Sequence, residues 1–198
     1  MNLLTRDDVL SIEDYEKQRE SFRSRIIALK QRRRISIGPL ITMVFENRET
    51  LRFQIQEMIR VERILDQEKV QDELDVYNAL LPTGNELSAT LLIEITEEEK
   101  MKEWLDRFMG LDQGPTVAIN AGGETVFGKF EGGHSHETKI SAVHFVRFRP
   151  SDAMKAAFAN LREPVSLTVD HNGYRETASV PGSMREEWLS DLADDSHH

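Results

Sequence analysis

The chain contains no cysteine, which excludes disulfides, thiolate zinc sites, iron–sulfur ligation and thiol catalysis by its own residues. No run of about 18 apolar residues occurs, so a membrane-spanning helix is not expected. Arg6, Asp7 and Asp8 stand where a secretion signal would be apolar, and the expected location is the cytoplasm. Catalytic signatures are also scarce. Neither G-x-S-x-G nor H-E-x-x-H is present, and Gly122-Gly123 and Gly132-Gly133 lack the flanking residues of a phosphate loop or dinucleotide fingerprint. Basic residues are in deficit, with a formal charge of -10, so nucleic acid and anionic membrane surfaces are repelled at long range and are not expected partners.

What is present describes a globular protein. Hydrophobic residues make up 39% of 198 and charged residues 30%, enough apolar content for a real core. The expected fold is α+β: one domain over residues 1–192, with a helix-rich part (1–86) packed on a mixed, mainly antiparallel sheet built from residues 87–192. Residues 193–198 read as a disordered acidic tail, and its closing His197 and His198 are left out of the functional reading.

Tyr15, Phe22, Ile26 and Leu29 recur at helical spacing up to about Arg33, behind the cap-like pairs Thr5/Asp8 and Ser11/Asp14. Gly38 and Pro39 break that helix, and residues 40–45 predict a strand. Asn47 caps a second helix over residues 48–65, and Asp66 starts a third that ends at Pro82-Thr83-Gly84-Asn85, giving a helical hairpin. Alternation at Ala89, Leu91, Ile93 and Ile95 predicts a strand, and Thr96 with Glu99 a capping box for the helix of Met101, Trp104, Leu105 and Phe108. Strands at residues 116–120 and 125–131 form a hairpin, residues 140–148 a central strand, and Ser151 begins a short helix. The Asn172-Gly173 turn joins strands 165–169 and 176–180, and Ser183 with Glu186 caps the last helix.

Three sets of residues could carry chemistry. His134 and His136 form an H-x-H pair in a glycine-rich loop, with Glu131, Glu137 and His144 as further ligands to a divalent metal; the plainer reading is two solvated loop histidines. His144, on the 140–148 strand, is either a buried imidazole bonded to a neighbour or a base facing a pocket. Glu62 falls near the centre of the face made by Leu51, Ile55 and Met58, at about 100° per residue, and there needs a cationic partner or a metal-bridging or proton-transfer role. Arg52, Gln56, Arg60 and Arg63 form an expected exposed stripe beside the Asn47 and Arg48 turn, a surface for an acidic partner. The basic run Lys30, Arg32, Arg33 and Arg34 reads as a solvated helix end or a second such corner.

The segments LTRDDVLSIEDYE, ALKQRRRISIGP, FENRETLRFQIQEMIRVERI, ELDVYNALLP followed by NELSATLLIEI, and ISAVHFVRF occur in that order over nearly the whole chain. In this combination the chain resembles the bacterial family catalogued as domain of unknown function 3501. The resemblance implies a binding or accessory protein of a redox or peroxide-response system, with a rubrerythrin-like or iron–sulfur protein as its partner. It implies no established activity. The Asn47 to Arg63 surface lies inside one of the resembling segments, and homodimerisation fits either reading.

Overall fold

The computed structural model describes residues 2–132 and 140–193. Helix starts follow local capping chemistry. Thr5 and Asp8 close a reciprocal box over the 3-10 turn Arg6–Asp8, and the Ser11 hydroxyl accepts from the Asp14 N–H to open α1 (Ile12–Arg33). Asn47 caps α2 (Arg48–Glu62), Asp66 caps α3 (Gln67–Asn78), and Ser151 caps α5 (Asp152–Ala159). The other two helices depart from the expected caps. α4 (Glu98–Phe108) begins after Glu97 rather than Thr96, and α6 (Gly182–Ala193) already contains Ser183.

Nine strands make two antiparallel sheets among the described residues. The first is ordered β1-β2-β3-β7-β6, from Arg34–Ile37, Ile41–Glu46, Leu87–Ile93, Val143–Phe148 and Lys129–Phe130. The second is ordered β5-β4-β8-β9, from Glu124–Phe127, Val117–Ala121, Val165–His171 and Tyr174–Ser179. The α+β class is as expected, but the first sheet draws β1 and β2 from the helix-rich half. β1 follows α1 with only a change of backbone conformation at Arg34.

Alternation then divides the side chains. Ile41, Met43 and Phe45 of β2, Leu87, Ala89, Leu91 and Ile93 of β3, and Val117, Ile119, Leu167 and Val169 of the second sheet join Phe108, Phe158 and Trp188 in one core. A second cluster, Leu51, Ile55, Ile59, Val70, Leu74 and Leu81, belongs to α2, α3 and the turn that follows them. The strand expected over residues 125–131 is cut at Gly128: β5 lies in the second sheet and β6 in the first. The reason is steric, because a Cβ at Gly128 would lie 2.5 Å from Val146 Cγ1 and 2.9 Å from Phe148 Cε1. Only glycine lets the chain pass so close to β7 as it changes sheets.

Candidate functional site

The stripe on α2 is spent on the chain's own N-terminal segment. Arg48 pairs with Asp8 at 2.6 Å and also donates to the Asn2 carbonyl. Arg52 donates to the Asp8 carbonyl at 2.7 Å and lies over the Phe22 ring. Gln56 both accepts from the Leu10 N–H at 2.9 Å and donates to its carbonyl at 3.0 Å, while Arg60 pairs with Glu16 at 2.6 Å. Residues four apart share one side of a helix, so these side chains form a ladder in which Arg48, Arg52 and Gln56 satisfy the segment before α1 and Arg60 pairs with α1 itself near its start. The expected exposure is therefore corrected: Gln56 is 1% exposed, and only Arg63, in left-handed conformation at the α2 C-cap, projects freely. Asn47 is engaged as a cap, its side chain accepting from the Thr50 N–H at 3.0 Å. Gln56→Ala should cost about 1–3 kcal/mol, since it leaves the Leu10 N–H and carbonyl without their partners. Urea unfolding of the variant, with proteolysis mapped to residues 2–11, checks this.

Two other expectations are also corrected. Glu62 is exposed rather than centred on a buried face, because α2 ends at that residue, past the packed positions Leu51, Ile55 and Ile59. Its neighbour Glu73 is pushed above the ordinary carboxylate range by burial and by the charges of Glu62 and Asp72. The basic end of α1 is solvated only in part, with Arg32 and Arg34 exposed and ion-paired and Arg33 buried. Arg33 is 1% exposed and bonds Asp191 at 2.8 and 3.0 Å and Glu187 at 2.7 Å, while Arg32 meets Glu186 and Glu187 and Arg34 meets Glu94. Asp191 sits buried in α6.

His144 is a buried imidazole, 1% exposed, with Nε2 2.8 Å from the Ser141 carbonyl and Nδ1 3.8 Å from Asp112 Oδ2. The Phe130 ring meets it edge-on. His134, His136 and Glu137 lie outside the described residues, and among the described residues no group of three His, Asp or Glu side chains is arranged to hold a metal. Glu131, the other proposed ligand, is engaged with Arg147.

Glu46, which opens the turn expected to belong to an interaction surface, is instead 2% exposed at the end of β2. Its carboxylate accepts from the hydroxyls of Thr50 at 2.5 Å and Thr90 at 2.7 Å and from the Gln54 amide at 3.2 Å. Three donors make a buried carboxylate tolerable, and they tie α2 to β2 and β3. Its apolar flank Val44-Phe45 gave the only sequence signal, an acid closing a strand where alternation points it under the following helix.

The cleft with the richest mixture of groups opens where the chain changes sheets. It encloses about 570 Å3 between an aromatic and aliphatic wall of Val126, Phe127 and Phe130 and a polar wall of Glu86, Lys129, Glu131, Arg147 and Arg149. Arg147 is held from several sides, donating to Glu131, to the Leu81 carbonyl at 2.9 Å and to the Ala79 carbonyl at the end of α3. Arg149 bonds Glu86 at 2.6 Å yet keeps a side chain 73% exposed. Lys129 has no ion-pair partner among the described residues, and Phe127 is 54% exposed. The cleft is thus a fixed guanidinium floor, two accessible cations and an open aromatic, in a chain whose overall charge is strongly negative.

Burial acts to raise the Glu86 carboxyl, but hydrogen bonds from Thr83 and Arg149 and the charges of Arg147 and Arg149 outweigh it and hold the group below the ordinary range. A carboxylate depressed in the folded state adds stability above its unfolded value and loses it as pH falls through the folded value. Glu86→Gln should therefore flatten the acid side of the stability profile while changing its neutral side in the destabilising direction. Urea midpoints measured from neutral pH down into the carboxylate range test this.

Among curated proteins no match is found. A crystal structure of a novel protein of unknown function from Burkholderia pseudomallei K96243 is similar over 96% of this chain and 100% of that one, with 37% sequence identity and a TM-score of 0.87. The family model described as protein of unknown function (DUF3501) matches residues 3–192. Both the fold and the sequence place the chain in one group, and it belongs to the DUF3501 family.

Proposed function

We propose that this protein is a binding or accessory protein that docks an acidic partner protein in the cleft at the junction of the two sheets. One observation carries the reading: the exposed Phe127 stands beside Lys129, which has no ion-pair partner among the described residues, and the accessible Arg149, an apolar anchor with cations at its rim. Interface anchors combine a large aromatic contact with charges that orient the partner, and arginine and aromatic residues supply most of such energy. Arg147 supports the site by fixing β7 to the end of α3, so the cations are presented from a rigid base. The family resemblance implies the setting, a redox or peroxide-response system in which a rubrerythrin-like or iron–sulfur protein is the partner.

The test is affinity purification from the native cell with the wild-type chain and with the pair Lys129→Glu and Arg149→Gln. Both side chains are exposed, and Arg149→Gln gives up one of the bonds to Glu86, so the variant should stay folded with a slightly lowered unfolding midpoint. The docking reading expects one acidic protein retained by the wild type and lost from the variant. Equal retention by both would contradict it.

A further inference from the structure

Resting on that docking reading, we infer that β5 is a pairing edge, and that the partner adds an extended segment to it as a fifth strand of the second sheet. The register of the β4–β5 hairpin decides which backbone groups are free. Gly122 and Gly123 both have positive φ, 60° and 78°, the two-residue turn that closes on a hydrogen-bonded pair, here Ala121 and Glu124. Alternation along an antiparallel ladder then turns the N–H and C=O of Glu124, Val126 and Gly128 toward β4, and the Gly128 N–H indeed meets the Val117 carbonyl at 2.8 Å. The N–H and C=O of Thr125 and Phe127 consequently point outward, and among the described residues no backbone hydrogen bond reaches them.

The remaining strand edges are less open. β9 and β1 end their respective sheets beside each other, joined by the Tyr174 hydroxyl donating to the Ile37 carbonyl at 2.5 Å, and β6 is two residues long. β5 is the exposed edge that also borders the cleft, with Glu124, Thr125 and Phe127 all accessible.

Charge selects the occupant. At one end of the edge stand Lys129 and Arg149; at the other, Glu124 accepts from the Ser151 hydroxyl. A segment that pairs here is apolar beside Phe127 and acidic where it reaches Lys129 and Arg149, with no acid opposite Glu124. Main-chain bonds to Thr125 and Phe127 supply the affinity and the two ends set the direction.

The probe is a fluorescein-labelled peptide of alternating valine and threonine ending in three aspartates, titrated by anisotropy with the full chain. Saturable binding is expected. N-methylation of alternate amides in one frame should weaken it about tenfold or more, and in the other frame should leave it unchanged. Thr125→Pro removes an outward N–H that the β4 ladder does not use together with the hydroxyl bond to Asn120 Oδ1, so it should weaken binding about tenfold relative to Thr125→Val, which loses the same hydroxyl and keeps the N–H. Binding indifferent to both N-methyl frames but lost with Lys129→Glu and Arg149→Gln overturns strand addition and leaves docking intact. No saturable binding of the peptide also overturns strand addition, whereas the purification experiment judges docking by itself.

Discussion

Arg33→Met is expected to lower the free energy of unfolding by about 3–5 kcal/mol, the cost of leaving buried carboxylates without their cation. Arg33 reaches Asp191 through two nitrogens and Glu187 through one, and its side chain is 1% exposed. Burial alone would lower the guanidinium pKa, but the bonds to Asp191 and the charges of Asp191 and Glu187 raise it, so the group stays charged. Methionine replaces the stem's apolar volume, which isolates the electrostatic loss from a packing loss. Adding Asp191→Leu to Arg33→Met should recover part of the stability, because a pair replaced on both sides no longer strands a buried charge. Arg25→Met, which breaks the solvated pair with Glu49, should cost no more than about 1 kcal/mol. Urea unfolding of the four proteins separates these expectations. The wider consequence is structural: this ion cluster fastens α6 to the end of α1, joining the last and first helices of the described chain.

Gly38→Ala should be almost as damaging, for two reasons that act together. Gly38 adopts φ of 71°, where an L side chain costs about 1–2 kcal/mol. A Cβ there would also fall 2.5 Å from the Tyr174 hydroxyl and 2.4 Å from Glu176 Cγ, an overpacking worth about 1–3 kcal/mol more. Tyr174 cannot retreat cheaply. Its hydroxyl donates to the Ile37 carbonyl at 2.5 Å and accepts from the Leu40 N–H at 3.2 Å, holding the β1–β2 turn against β9. Thermal unfolding of Gly38→Ala should show a large loss, and Tyr174→Phe in the glycine background a smaller one, from the hydrogen bonds alone.

Local signals in the sequence carried well where the responsible atoms are neighbours in the chain. Ser11, Asn47, Asp66 and Ser151 cap helices as their spacing implies, and Asn172-Gly173 makes its hairpin turn with positive φ at both residues. Where the partner is distant, periodicity told which residues share a side and not what covers it. Arg52, Gln56 and Arg60 were legible as one stripe, with Arg63 counted in it and Arg48 set in the turn beside it, yet the segment they bind lies about forty residues earlier. Glu62 was placed on the correct angular position, but the helix outlasts its support. Gly128 was read as an unremarked strand residue because its meaning, a crossing between sheets against Val146 and Phe148, exists only once β7 is in place. The candidate cleft was hidden for the same reason, since Glu86, Phe127, Lys129, Arg147 and Arg149 come from three separate stretches. Family membership, by contrast, was carried by the order of whole segments and agrees with the match over residues 3–192.

The most direct measurement is photo-crosslinking in the native cell with p-benzoylphenylalanine in place of Phe127, and in place of Leu161 as a control outside the cleft that is 68% exposed. Docking at the junction of the sheets predicts one crosslinked protein from position 127, attached through a segment rich in acidic residues, and none of that product from position 161. The same product from both positions, or crosslinks from 161 alone, would contradict it.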